Sequence, residues 1–262
     1  MASTQNTICH NLLADEIIGD ILSFLTINDI AAHNVTSKYA YDNYKMAYTK
    51  EHCVTISNNL RIIYRRGGIR AVKRMLSCDI RVDPSARNND AIFWASRIGD
   101  LDLVRELLKD PRVDPSTPED NRNSPIHVAS QRGHLDVVKE LMKDDRVDPS
   151  DCENSAIRIA SYNGHLDVVK ELIKDERVDP SAHVNYAIYI ASEKGYYDLV
   201  KELMKDERVD PSAGNNRAIC DASGNGHLEV VKELLQDDNV VRLASAGWEL
   251  AYFREQIQNI LI

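Results

Sequence analysis

One short phrase, Arg-Val-Asp-Pro-Ser, stands five times in this chain, at residues 81–85, 112–116, 146–150, 177–181 and 208–212. Its valines, Val82, Val113, Val147, Val178 and Val209, step by 31, 34, 31 and 31 residues. A second landmark, Gly99, Gly133, Gly164, Gly195 and Gly226, steps by 34, 31, 31 and 31, its long step spanning the same insertion. The long step holds "STPEDNRNSPIH", three residues more than its neighbours carry there. Two landmarks on one beat define a unit, and periods of roughly 20–50 residues belong to stacked-repeat folds.

Within a unit the apolar pattern is helical twice. In "GHLDVVKELIKDERV" (residues 164–178) Leu166, Val169, Leu172 and Ile173 share one face, while Asp167, Lys170, Glu171 and Lys174 take the other. In "NSAIRIASYNG" (residues 154–164) Ile157, Ile159 and Ala160 make a shorter stripe. The glycine between the two is expected to turn the chain at positive φ. Two short helices cannot bury their apolar faces alone, so copies must stack into one array. The phrase then serves as punctuation: its valine ends the packing face, aspartate can accept from nearby N–H groups, and proline stops the helix. The competing reading, a catalytic aspartate repeated, has no nucleophile elbow, glycine-rich phosphate loop or metal-ligand cluster beside it. The expectation is no enzyme, no cofactor and no metal site.

Charge and cysteine usage narrow the partners. A net charge of −9 disfavours a nucleic-acid binder, although residues 61–74 are locally basic. Five cysteines without CxxC spacing fit incidental thiols in a reducing compartment. With no apolar run of about 18 residues and no signal or prenylation pattern, the expected protein is soluble, monomeric and free of membrane.

The unit resembles the ankyrin repeat. "SPIHVASQRGHLDVVKELM" (residues 124–142) follows that family's T-P-L-H-x-A-A…G-H-L-x-V-V-K-x-L-L pattern almost throughout, and later copies put Ala in the proline position. Its unit of 31 residues is shorter than the family's usual length of about 33, and such short units resemble ankyrin arrays of giant viruses. The resemblance implies an all-α ankyrin solenoid of about six helix pairs over residues 59–241, with capping helices at 242–262. It also implies target binding by residues that vary between copies. Those before the glycines are Arg97, Gln131, Arg132, Tyr162, Asn163, Glu193, Lys194 and Asn225. Those at the connector tips are Asn154, His183, Asn185 and Asn216. His134, His165 and His227 recur after the glycines, with Tyr196 in the fourth place, and read as helix-start packing. His127 reads as a local hydrogen-bonding group. Asp221 occupies an apolar column held elsewhere by Trp94, Val128, Ile159 and Ile190, and so needs a partner.

Residues 1–10 read as disordered, and residues 11–58 do not follow the repeat. Leu13, Ile17, Ile21, Leu22, Phe24 and Leu25 make a small helical hairpin with more apolar surface than it can bury, which must dock on the array or on a partner. This segment resembles an F-box: Leu13, Glu16, Ile17, Ile21, Leu22, Ser23, Phe24, Leu25, Asp29, Ile30, Ser37 and Lys38 fall in register. Ala14 stands in place of the family proline, and Thr36 in place of its valine. The resemblance implies a substrate receptor that binds a Skp-type adaptor of a cullin–RING ubiquitin ligase through Leu13, Ile17, Leu22, Phe24, Leu25, Asp29 and Ile30, while the array holds the target. The alternative is a scaffold that sequesters or blocks a host or cellular protein. Either would act in the cytoplasm or nucleus, and in host cytoplasm if the chain is viral.

Overall fold

The computed structural model describes residues 60, 69, 72, 73, 76, 83–116 and 124–246, with side chains to residue 243. Eleven helices are bounded and no strand occurs among these residues. Two compact units divide the chain, residues 1–95 with 100–119, and residues 96–99 with 120–262. The first unit contains α1 (Ala86–Ile98) as far as Ala95, and all of α2 (Leu101–Leu108). Ile92, Val104, Leu107 and Val113 are fully buried there.

The second unit holds four helix pairs: α3 (Pro125–Arg132) with α4 (Leu135–Leu141), α5 (Asp151–Tyr162) with α6 (Leu166–Leu172), α7 (Ala182–Glu193) with α8 (Tyr197–Leu203), and α9 (Ala213–Gly224) with α10 (Leu228–Leu234). The first helices of successive pairs pack side by side, as do the second helices, and α11 (Asp238–Ala246) packs on α9. Columns run through the stack. Ile157 and Ile219 are fully buried with Ala129, Ala160, Ala191 and Ala222, and so are Leu141, Leu172, Leu203 and Leu234. Each buried leucine contributes about 1.5–3 kcal/mol of apolar transfer.

The repeated phrase is built from two local devices. Asp110, Asp144, Asp175 and Asp206 each hold the arginine two residues on in a two-point fork, Nε to Oδ1 at 2.8–3.0 Å and Nη2 to Oδ2 at 2.6–2.7 Å. Arg177 and Arg208 also donate from Nη1 to the carbonyls of Val147 and Val178, at 3.1 and 2.7 Å, which ties each connector to the one before. In the second device Asp83, Asp114, Asp148, Asp179 and Asp210 accept the N–H (2.9 Å) and the hydroxyl (2.6 Å) of the serine two residues on. The valine between the devices is buried in every described copy. The phrase is structural, as its spacing suggests.

After the serine the chain makes a left-handed turn of three residues: Arg87–Asn88–Asn89, Cys152–Glu153–Asn154, His183–Val184–Asn185 and Gly214–Asn215–Asn216, all with φ of 51–63°. Its last residue is always asparagine, the non-glycine type that best tolerates this region. Oδ1 of Asn89, Asn154 and Asn185 accepts the N–H of Asp114, Asp179 and Asp210 in the next connector, at 2.7–2.8 Å. The last copy departs from this. Because α11 turns the N–H of Val241 onto the Asp237 carbonyl, Asn216 Oδ1 is buried without a partner, while its Nδ2 donates to the Val240 carbonyl at 3.0 Å.

A ring column closes the stack. Gly133 ends α3 at φ 75°, and a Cβ placed on it would meet the His165 ring at 2.6 Å. Gly164 stands likewise under Tyr196, at 2.9 Å. The ring Nε2 of His134, His165 and His227 bonds the carbonyl of Arg97, Gln131 and Glu193 at 3.0–3.1 Å, which requires Nε2 to carry the proton. The recurring histidines are therefore inter-repeat packing groups.

Candidate functional site

Among the residues expected to meet a target, Arg97, Gln131, Arg132, Tyr162, Asn163, Asn225 and His183 are exposed, and Glu193 and Lys194 are half-buried. The tip of the next turn is reached sideways: His183 Nε2 contacts the Glu153 carboxylate of the turn before it. Three expectations need correction. Asn185 and Asn216 are buried, at 8% and 3% exposure, and Asn154 is half-buried. The left-handed backbone turns these amides inward, where Asn154 and Asn185 bond the next connector. They hold repeats together and present little to a partner. The expected adaptor contacts Leu13, Ile17, Leu22, Phe24, Leu25, Asp29 and Ile30 lie outside the described residues.

The structure adds two positions on or at the start of the first helices, nine and six residues before Gly133, Gly164, Gly195 and Gly226. They hold Ser124, Ser155, Tyr186 and Arg217, and then His127, Arg158, Tyr189 and Cys220. Tyr186 meets Tyr189 edge-on, with ring centroids 5.9 Å apart and planes at 71°. The Arg158 guanidinium lies 5.9 Å from the Tyr186 centroid. That of Arg217 lies 4.1 Å over Tyr189 and donates to its Oη at 2.8 Å. Tyr189 in turn donates to Glu193 at 2.5 Å, and this bond, with burial, pushes its phenol up to about 12. One turn away, Lys194 sits 4.2 Å over the Tyr162 ring. Two adjacent helices, α5 and α7, thus present tyrosine faces braced by cations, each such contact worth about 0.5–1 kcal/mol where exposed.

Two earlier questions close here. Asp221 pairs with Arg217 one turn before it, at 3.5 Å, and stands half-exposed instead of buried. His127 bonds Ser155 Oγ across to the next helix at 3.0 Å, and burial, with the Arg158 charge nearby, holds its imidazole below the usual range. The varying signal was legible at positions nine and six as well as beside the glycine. Apart from His127, a hydrogen-bonding group, each residue at those positions looks like an ordinary helix residue in its own copy, and no stripe marks it.

The arrangement is a rigid, aromatic-rich face on short helices. Tyr and Arg are the side chains that concentrate binding energy at protein interfaces, because they cover large areas with few rotors to freeze. In the comparisons with known proteins, the family described as ankyrin repeats (3 copies) matches residues 60–151, 92–183 and 156–243. No curated protein matches the chain.

Proposed function

Taking as premise that the chain belongs to the ankyrin-repeat family, we propose that it reads a target protein on the first-helix face and delivers that target to a ubiquitin ligase. Ankyrin repeats mark a protein–protein interaction module. The observation that carries the reading is a contrast within the one sequence. Packing positions repeat copy after copy, as in the buried Ala129, Ala160, Ala191 and Ala222, while Arg158, Tyr189 and Cys220 differ at one exposed or half-exposed position. Delivery rests on the F-box-like register from Leu13 to Lys38. Through it, a Skp-type adaptor would hold a bound target near a charged conjugating enzyme, which raises effective concentration without a catalytic residue here.

Affinity capture from lysate with the full chain, beside Leu22→Asp/Phe24→Asp, tests delivery. The wild type should recover Skp and cullin, and the folded variant should lose both while keeping its target. Recovery of a target without Skp by the wild type would reject the receptor and leave a scaffold that blocks its partner. The read-out for the face is Tyr189→Ala/Arg217→Ala, which should lose the target and keep the adaptor.

A further inference from the structure

The charged side chains of the second unit fall into two classes. On the second-helix side most of them neutralise one another: Lys143 lies 2.9 Å from Glu140, Lys174 2.8 Å from Glu171, and Lys205 2.8 Å from Glu202, while Lys201 lies 5.7 Å from the Tyr197 ring centroid. Lys139 and Lys170 reach the next repeat's Glu171 and Glu202 at 3.9 Å. On the first-helix side the pattern breaks. Arg158 donates only to the main-chain carbonyls of Glu153 and Cys152, at 3.0 and 3.2 Å, and faces the Tyr186 ring. Lys194 has the Tyr162 ring beneath it, and Arg132 is exposed at the end of α3. Among the described residues none of these three cations has a carboxylate within 4.0 Å.

A chain of net charge −9 that pairs most of its cations on one face and leaves three without carboxylates on the other, Arg158 and Lys194 of them against tyrosine rings, has a surface suited to anions. We propose that the face of α3, α5 and α7 binds an extended acidic segment of the target protein, its carboxylates on Arg132, Arg158 and Lys194 and its apolar side chains on Tyr162, Tyr186 and Tyr189. This rests on the target-reading role proposed above for the same face. The spacing follows from geometry. Packed helices stand about 8–10 Å apart, and an extended chain advances about 3.3 Å per residue, so consecutive helices meet acidic residues roughly every third position. Guanidinium and ammonium groups bordered by ring faces suit carboxylates held beside apolar side chains. A polyphosphate chain, dense in charge along its whole length, fits less well, because Glu193 interrupts the face and Asp151 and Glu153 stand on its tip.

The test is selection of a displayed library of random 16-residue peptides on the full-length protein, repeated on two variants. Arg132→Glu/Lys194→Glu changes two side chains that make no hydrogen bond to the main chain among the described residues. Lys143→Glu/Lys205→Glu is the opposite-face control, and thermal melting checks that both fold. Peptides selected on the wild type should be enriched at least threefold in Asp and Glu, at intervals of about three. They should bind the first variant at least tenfold more weakly and the control unchanged, with affinity falling as salt rises. Arg158→Gln should weaken binding too. Selected peptides without acidic enrichment that still lose binding on the first variant would overturn the acidic specificity while leaving target reading on this face intact. Equal binding to both variants would place the contact elsewhere and overturn it also. Tighter binding of a labelled 20-nucleotide single strand than of any selected peptide would reject the peptide in favour of nucleic acid. If no peptide is selected at all, both this inference and the face as a reader of linear segments fail.

Discussion

Two residue types carry costs that substitution can measure. Ser130, Ser161 and Ser192 are wholly buried in equivalent places, and each hydroxyl lacks a partner. Buried polar groups left unpaired cost about 1–3 kcal/mol, and alanine is the better helix former. Each Ser→Ala change should therefore raise stability by about 0.5–1.5 kcal/mol, read as a higher urea midpoint; an unchanged or lower midpoint would show that the hydroxyls are satisfied. Val184 is the other case. It is β-branched, sits at φ 58° and is 71% exposed, where its copies carry Asn88, Glu153 and Asn215. Left-handed backbone costs an ordinary residue about 1–2 kcal/mol, so Val184→Asn should raise the melting temperature. Should it fall, the exposed valine has a packing role that the turn conceals. The repeat, the helix pair, the turning glycine and the ring after it were all legible in the sequence, because each rests on spacing and local chemistry. The asparagines were misread. A polar residue at a connector suggests exposure, and only the left-handed backbone turns it inward, yet its presence in every copy while its neighbours varied was the available sign.

Connectors set the behaviour of each element. Asn185 serves a main-chain donor in the next connector, whereas Asn216 keeps one bond and an orphaned oxygen. Asn185→Ala should cost about 1–3 kcal/mol and Asn216→Ala distinctly less, compared by chemical denaturation; equal losses would remove the stitch as the cause. Acid should act in two windows. The Asp110, Asp144, Asp175 and Asp206 carboxylates are held below the usual range, first by the hydrogen bonds from their arginines. Folding binds fewer protons there than unfolding does, so this stability is present above the unfolded aspartate pKa and is lost as pH falls below about 4. His127 is likewise depressed, chiefly by burial. Its unfolded form takes a proton first, so stability declines as pH falls from about 6.5, its ordinary value. Wild type should lose more melting temperature than His127→Gln between pH 8 and 5.5, and parallel slopes would discount His127.

At the scale of the molecule, stability comes from neighbour on neighbour. Gly164 and Gly226 share φ 75°, but of the two only Gly164 has a ring within reach among the described residues, Tyr196 at 2.9 Å. Gly164→Ala therefore pays backbone strain and a displaced ring, while Gly226→Ala pays strain alone, about 1–2 kcal/mol. A difference of at least about 1 kcal/mol between the two in equilibrium unfolding would measure the ring contact, and near-equality would deny it. The F-box-like register was legible only as resemblance, since residues 13–38 follow no internal beat against which they could be checked. The joints have a consequence for heredity. The ties from Arg177 and Arg208 each span 30 residues, and the stitches from Asn89, Asn154 and Asn185 each span 25. A gene that loses or duplicates one unit in frame, residues 151–181 for instance, therefore rejoins each donor to an equivalent acceptor. Such a lineage can lengthen or shorten its reading face by recombination between near-identical stretches, exchanging Arg158 and Tyr162 for another pair without inventing a new joint.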